Sequence, residues 1–152
     1  MSPRRSAQET VPADPCGTQR VPSVVAILNS NEDLVELMRV QLETAGFVVV
    51  SGHIGAAKRG SFNLRQFIEQ HDPCVVVFDL VPPYDRNWAF LEHLRGDAMF
   101  QRRQFVLTSA NAKHAESIAG RAEHIYEIIG KPYDLDAVVQ AVREASRSRP
   151  VK

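Results

Sequence analysis

The chain has 152 residues, enough for one domain with a substantial core, and ordinary hydrophobic and charged fractions of 44% and 24%. Eighteen Lys and Arg balance eighteen Asp and Glu, so net charge argues for neither a nucleic-acid partner nor an acidic membrane. No apolar run approaches the roughly 18 residues of a membrane span, and no apolar segment follows the paired arginines of MSPRRSAQ, so a cytoplasmic protein is expected.

Residues 1–22 hold Pro3, Pro12, Pro15 and Pro22 among aperiodic polar residues and read as a disordered arm. A domain is expected over 23–146, and the basic residues 147–152 read as a tail. The domain begins with SVVAIL, a β-branched run typical of a buried strand. A helix follows, with Leu34, Leu37, Met38, Leu42 and Ala45 at helical spacing and Gly46 as its stop. Ser30 and Asp33 are spaced as a capping box that sets its start. FVVV (47–50) predicts a second strand, SGHIG a glycine-rich loop, and 61–71 a weaker helix with Leu64, Phe67 and Ile68 on one face. CVVVF (74–78) predicts a third strand, and RNWAFLEHLRGD a helix with Leu91 and Leu94 inward. QFVLT (104–108) then predicts a strand, 112–122 a short alanine-rich helix, and IYEII (125–129) a fifth strand. The last helix carries Leu135, Val138, Val139 and Val142 on one face, with Asp134 as N-cap. Of the two cysteines, Cys74 reads as a small buried hydrophobe and Cys16 as an exposed thiol; neither has a second Cys nearby or metal-site spacing to a His, so neither a disulfide nor a zinc site is expected.

Five strands alternating with five helices through short connections predict an α/β fold: a doubly wound parallel sheet covered on both faces. In such sheets ligands bind beyond the carboxyl ends of the strands. Leaving the strands at that edge are Asn29 and Ser30, then Asp79, then Thr108, and Lys131-Pro132 after Gly130. A carboxylate, a hydroxyl and an ammonium converge there if the first, third, fourth and fifth strands are neighbours. The apolar run before Asp79 places that carboxylate on a rigid element at a ligand-accessible edge.

AILNSNEDLVELMRVQLETAGF, VVVFDLVPP, FVLTSA and GKP together resemble, in order and spacing, the receiver domain of two-component response regulators, over about residues 23–146. The resemblance implies a CheY-like (flavodoxin-like) five-stranded (βα)5 sheet of order 2-1-3-4-5. It implies a phosphorelay role in signal transduction, with Asp79 accepting a phosphoryl group from a sensor histidine kinase or phosphotransfer protein. Thr108 matches the hydroxyl that bonds the phosphoryl oxygens, Lys131 the ammonium that pairs with them, and Pro83 and Pro132 two prolines of the pattern. Pro132 would follow a cis bond. The chemistry agrees, since a carboxylate can attack phosphorus while a cation and a hydroxyl stabilise the transferring charge. Output is expected through contacts with a downstream protein, no output domain being read in the chain, with homodimerisation left open. In the family that contact uses the fourth helix, fifth strand and fifth helix, which here would carry Ala115, Ile118, Tyr126 and Ile128. Neither nucleic acid nor a membrane is an expected partner.

Three departures stand out. The family holds Mg²⁺ with an acidic pair after the first strand, the phosphoacceptor, and a carbonyl two residues beyond it. Asn29 and Ser30 replace the acidic pair, leaving Asp79, the Val81 carbonyl and the Asn29 amide oxygen as the metal set, with weakened or lost attraction for a divalent cation. Glu32 and Asp33 are more simply first-turn helix acids than substitutes. Ile128 stands where the family's switch aromatic would be, and VPPYD stiffens the loop after Asp79. Two readings stay open: Asp79 is phosphorylated, or the domain is a phosphorylation-independent pseudo-receiver in which Asp79 pairs with Lys131. Enzymatic alternatives lack their residues. Val81 replaces the second acid of a haloacid-dehalogenase motif, LNSNED has no dinucleotide glycines, His53 lacks the aspartate of a cobalamin loop, and no histidine pairs with a nucleophile.

Overall fold

A computed structural model of the chain describes residues 23–109, 111–119, 125–130 and 135–147. Its order is β1 (Val24–Asn29), α1 (Glu32–Thr44), β2 (Val48–His53), α2 (Ile54–Lys58), α3 (Leu64–His71), β3 (Val75–Leu80), α4 (Tyr84–Arg95), a 3₁₀ turn (Ala98–Phe100), β4 (Gln104–Ser109), α5 (Ala112–Ala119), β5 (Ile125–Gly130) and α6 (Leu135–Arg147). All strand pairings are parallel, in the order β2-β1-β3-β4-β5. The chain crosses over after β2, so the carboxyl ends of β1 and β3 lie side by side at the reversal.

Each central strand is apolar on both faces because each face is covered. Val25, Ile27, Val75, Val77 and Val106 pack with Met38 and Leu42 of α1 and Val138, Ala141 and Val142 of α6. The alternate residues Ala26, Leu28, Val76, Phe78 and Leu107 pack on the opposite side with Ile54, Leu64, Ile68 and Leu91. Pleat alternation carries the first face up to Asp79 and Thr108, the odd and even residues that follow Val77 and Val106.

Several local expectations are corrected. Asn31, not Ser30, caps α1: its side chain accepts from Leu34 N at 3.1 Å. Ser30 Oγ instead accepts from Gly55 N at 3.2 Å, tying β1 to α2. Leu37 is 55% exposed, because the buried stripe runs through Met38 and Leu42 and Leu37 lies about 100° round the helix from Met38. SGHIG is not a loop. Gly52 and His53 extend β2, and His53 Nδ1 then caps α2 by accepting from Ala56 N at 3.0 Å. A Cβ on Gly52 would lie 2.8 Å from the Phe62 ring, so a larger residue there requires that ring to shift. The helix expected over 61–71 starts at Leu64 with Asn63 as cap, and the added α2 raises the helix count to six among the described residues. Cys74 is disulfide-bonded rather than a free thiol; Cys16 lies outside the described residues.

The turn into β3 is pinned by charge. Asp72 ends α3 in the left-handed region at φ 49°, and the buried Arg103 donates to its carboxylate at 2.9 Å and to the Pro73 carbonyl at 2.6 Å. No described helix is long and apolar enough to cross a membrane.

Candidate functional site

Asp79 is the penultimate residue of β3 and pairs in register with Thr108 on β4. Thr108 is fully buried and Asp79 is 6% exposed. The Thr108 hydroxyl donates to Asp79 Oδ1 at 2.6 Å, a short charge-assisted bond. Two residues read separately from the sequence thus meet, because neighbouring parallel strands carry them to the same edge on the same face. Lys131, Pro132 and Asp134 lie outside the described residues, as do the side chains of Tyr126 and Ile128.

Asp79 opens into a cavity of about 310 Å³ between the ends of β1 and β3, α2 and the first turn of α4. Its polar lining is Asn29, Ser30, Asn31, Lys58, Asp79 and Asn87. Three of these, Asn31, Lys58 and Asn87, went unremarked in the sequence. Asn87 is 4% exposed, and its Nδ2 donates to the Val81 carbonyl at 2.6 Å, holding the turn that follows Asp79. The bond between Pro82 and Pro83 in that turn is cis. Lys58, the last residue of α2, reaches the cavity from a helix the sequence did not reveal. Its ammonium stands 5.4 Å from the centre of the Phe90 ring. Partial burial, and then the neighbouring Arg86, hold its pKa below the ordinary lysine value.

The oxygens that the receiver pattern would offer to Mg²⁺ fit a divalent cation poorly. Asp79 Oδ1 accepts from Thr108, Asn29 Oδ1 accepts from Asn31 N at 2.9 Å, and the Val81 carbonyl accepts from Asn87. Each would have to exchange or share a hydrogen bond to enter a near-octahedral shell. One carboxylate and one ammonium line the cavity, so its formal charge is zero, where an acidic pair would have made it strongly negative. Among the described residues no group of three or more His, Cys, Asp or Glu side chains is placed to hold a metal ion.

No family model matches the chain. A curated relative, the response regulator Rre1 of Synechocystis sp. (strain ATCC 27184 / PCC 6803 / Kazusa), is 30% identical over 77 residues, which are 51% of this chain and 33% of the relative. The match thus spans about a third of that protein's length. Among solved structures, a sensor protein from Polaromonas sp. JS666 superposes with a TM-score of 0.66 at 21% identity, over 82% of this chain and 96% of that one. A response regulator from Thermotoga maritima gives a TM-score of 0.66 at 17% identity, covering 83% and 98%. A CheY-like receiver domain from Methylobacillus flagellatus gives 0.61 at 18%, covering 81% and 98%. With its 2-1-3-4-5 parallel sheet and these neighbours, the chain has the CheY-like fold of response regulator receiver domains.

Proposed function

We propose that the chain acts in two-component signal transduction as a receiver module whose phosphoacceptor is Asp79, receiving its phosphoryl group from a histidine kinase or phosphotransfer protein and signalling by protein contact. The observation that carries this reading is the Asp79–Thr108 pair: a strand-borne carboxylate at an open cavity with a buried hydroxyl 2.6 Å from its oxygen. The carboxylate is the nucleophile, and the hydroxyl is placed to donate to an oxygen of the arriving phosphoryl group. Lys131, following β5 beside β4, is the cation that the motif assigns to the same edge. Domains of this kind are in general signalling modules rather than enzymes. The bounded unit is taken as residues 23–146, with 1–22 and 147–152 as flanking segments.

A second reading, a phosphorylation-independent interaction module, is favoured by the metal-site geometry. Thr108 is already bonded to Asp79, and the remaining oxygens of the Mg²⁺ set are engaged by protein donors. Amide NMR spectra with beryllofluoride, beside an Asp79→Asn control, separate the two. Shifts spreading from Asp79 through Thr108 into α5, absent in the control, are expected for a phosphoacceptor. An unchanged spectrum would leave the interaction module.

A further inference from the structure

We propose that Lys58 makes the Asp79 cavity a metal-independent oxyanion site, its ammonium facing the phosphoryl group where the receiver pattern would employ a divalent cation. The proposal deepens the reading of Asp79 as phosphoacceptor and rests on it. Three observations meet here. Lys58 lines the same cavity as Asp79, from the end of a helix packed against β1 and β2. No described carboxylate forms an ion pair with it, and its charged neighbour is a second cation, Arg86. The other polar side chains of the lining are the amides of Asn29, Asn31 and Asn87 and the Ser30 hydroxyl, which neither repel an anion nor strongly attract a metal.

Burial and then the nearby Arg86 disfavour the charged form of Lys58, and an anion bound by Lys58 relieves that cost. Arg86 is exposed, one residue before the buried Asn87, and is not among the cavity's lining residues, so its charge acts on Lys58 without filling the cavity. The Phe90 ring supports the lysine by a cation–π contact, and four methylenes let the ammonium follow a ligand. A ligand bearing a phosphoryl group meets Lys58 there without a divalent ion. In the transfer step an Asp79 oxygen forms a bond to phosphorus as the bond from phosphorus to the donor's leaving atom breaks, an imidazole nitrogen in a phosphohistidine donor and a carboxylate oxygen in an acyl phosphate. The electron pair departs with that atom, so with a small acyl phosphate a carboxylate leaves and no proton or metal is consumed.

The test uses acetyl phosphate and the full chain, with intact mass and peptide mapping as readouts, in excess EDTA and again in millimolar Mg²⁺. The wild type is expected to gain one phosphoryl group on Asp79 in EDTA, at a rate within about twofold of that in Mg²⁺. Lys58→Gln should slow it at least tenfold, and Lys58→Arg should restore most of it. Modification that requires Mg²⁺, or an unaltered rate in Lys58→Gln, overturns the proposal. If neither condition labels the wild type, the phosphoacceptor reading fails on its own. The same proteins are then titrated with inorganic phosphate in EDTA while the Ser30, Asn31 and Gly55 amides are followed by NMR. A wild-type response lost in Lys58→Gln keeps the oxyanion site, and no response, or an equal one in both proteins, overturns it.

Discussion

Thr108→Val replaces a hydroxyl with a methyl of nearly the same size at a fully buried position. What is lost is the donor to Asp79 Oδ1, a 2.6 Å bond between groups that are both almost wholly out of water. Hydrogen bonds to charged groups contribute about 1.5–3 kcal/mol, and the new methyl recovers little beside a carboxylate. For a chain of this size about 2–4 °C accompanies each kcal/mol, so a fall in Tm of roughly 3–12 °C is expected. Urea unfolding of wild type, Thr108→Val, Asp79→Ala and the double variant completes a cycle. The coupling between the two sites should be about 1.5–3 kcal/mol, within the range seen for residues in direct contact. A single-variant loss below about 0.5 kcal/mol, or an additive cycle, would refute the view that this bond holds the site together.

Arg103→Leu should cost about 2–4 kcal/mol in urea unfolding, because it leaves the Pro73 carbonyl and the half-exposed Asp72 carboxylate without their bound guanidinium; a neutral result would mean the turn into β3 holds itself. Gly52→Ala should lower stability by about 1–2 kcal/mol through overlap with the Phe62 ring, and pairing it with Phe62→Leu should recover part of the loss. Asn87→Leu removes the donor to the Val81 carbonyl and should cost about 1–3 kcal/mol, while broadening the amide signals of Val81 and Tyr84. Alkylation of the denatured, unreduced chain with peptide mapping should leave Cys74 unlabelled until a reductant is added; labelling of Cys74 without reductant would restore it to the buried thiol its sequence suggests.

The buried strands were legible because a parallel sheet leaves continuous apolar runs such as CVVVF and QFVLT, and because each run ends where its polar residue emerges. Asp79 and Thr108 were legible for that reason. What the sequence concealed depends on short-range hydrogen bonds with weak composition signals. Ser30 and Asn31 are adjacent cap candidates, and only the structure shows Asn31 bonded to Leu34 N while Ser30 reaches Gly55. Two glycines made SGHIG look like a loop, yet the His53 ring supplies the cap that starts α2. Missing that five-residue helix also hid Lys58, which has no neighbouring motif to mark it. Asn87 was hidden inside an ordinary amphipathic helix, since a buried amide shows itself only through its partner, the Val81 carbonyl.

The central claim is that Asp79 receives a phosphoryl group, with Thr108 bonding one of its oxygens, in a cavity served by Lys58 rather than by a metal. A crystal structure of the beryllofluoride-treated protein, grown in millimolar Mg²⁺, tests it most directly. The account predicts beryllium bonded to an Asp79 oxygen, the Thr108 hydroxyl and the Lys58 ammonium each within hydrogen-bond reach of a fluorine, and the Asn29–Asn31 and Asn87–Val81 hydrogen bonds intact. A hydrated divalent ion joining Asp79, the Val81 carbonyl and Asn29, with Lys58 turned away to solvent, would contradict it.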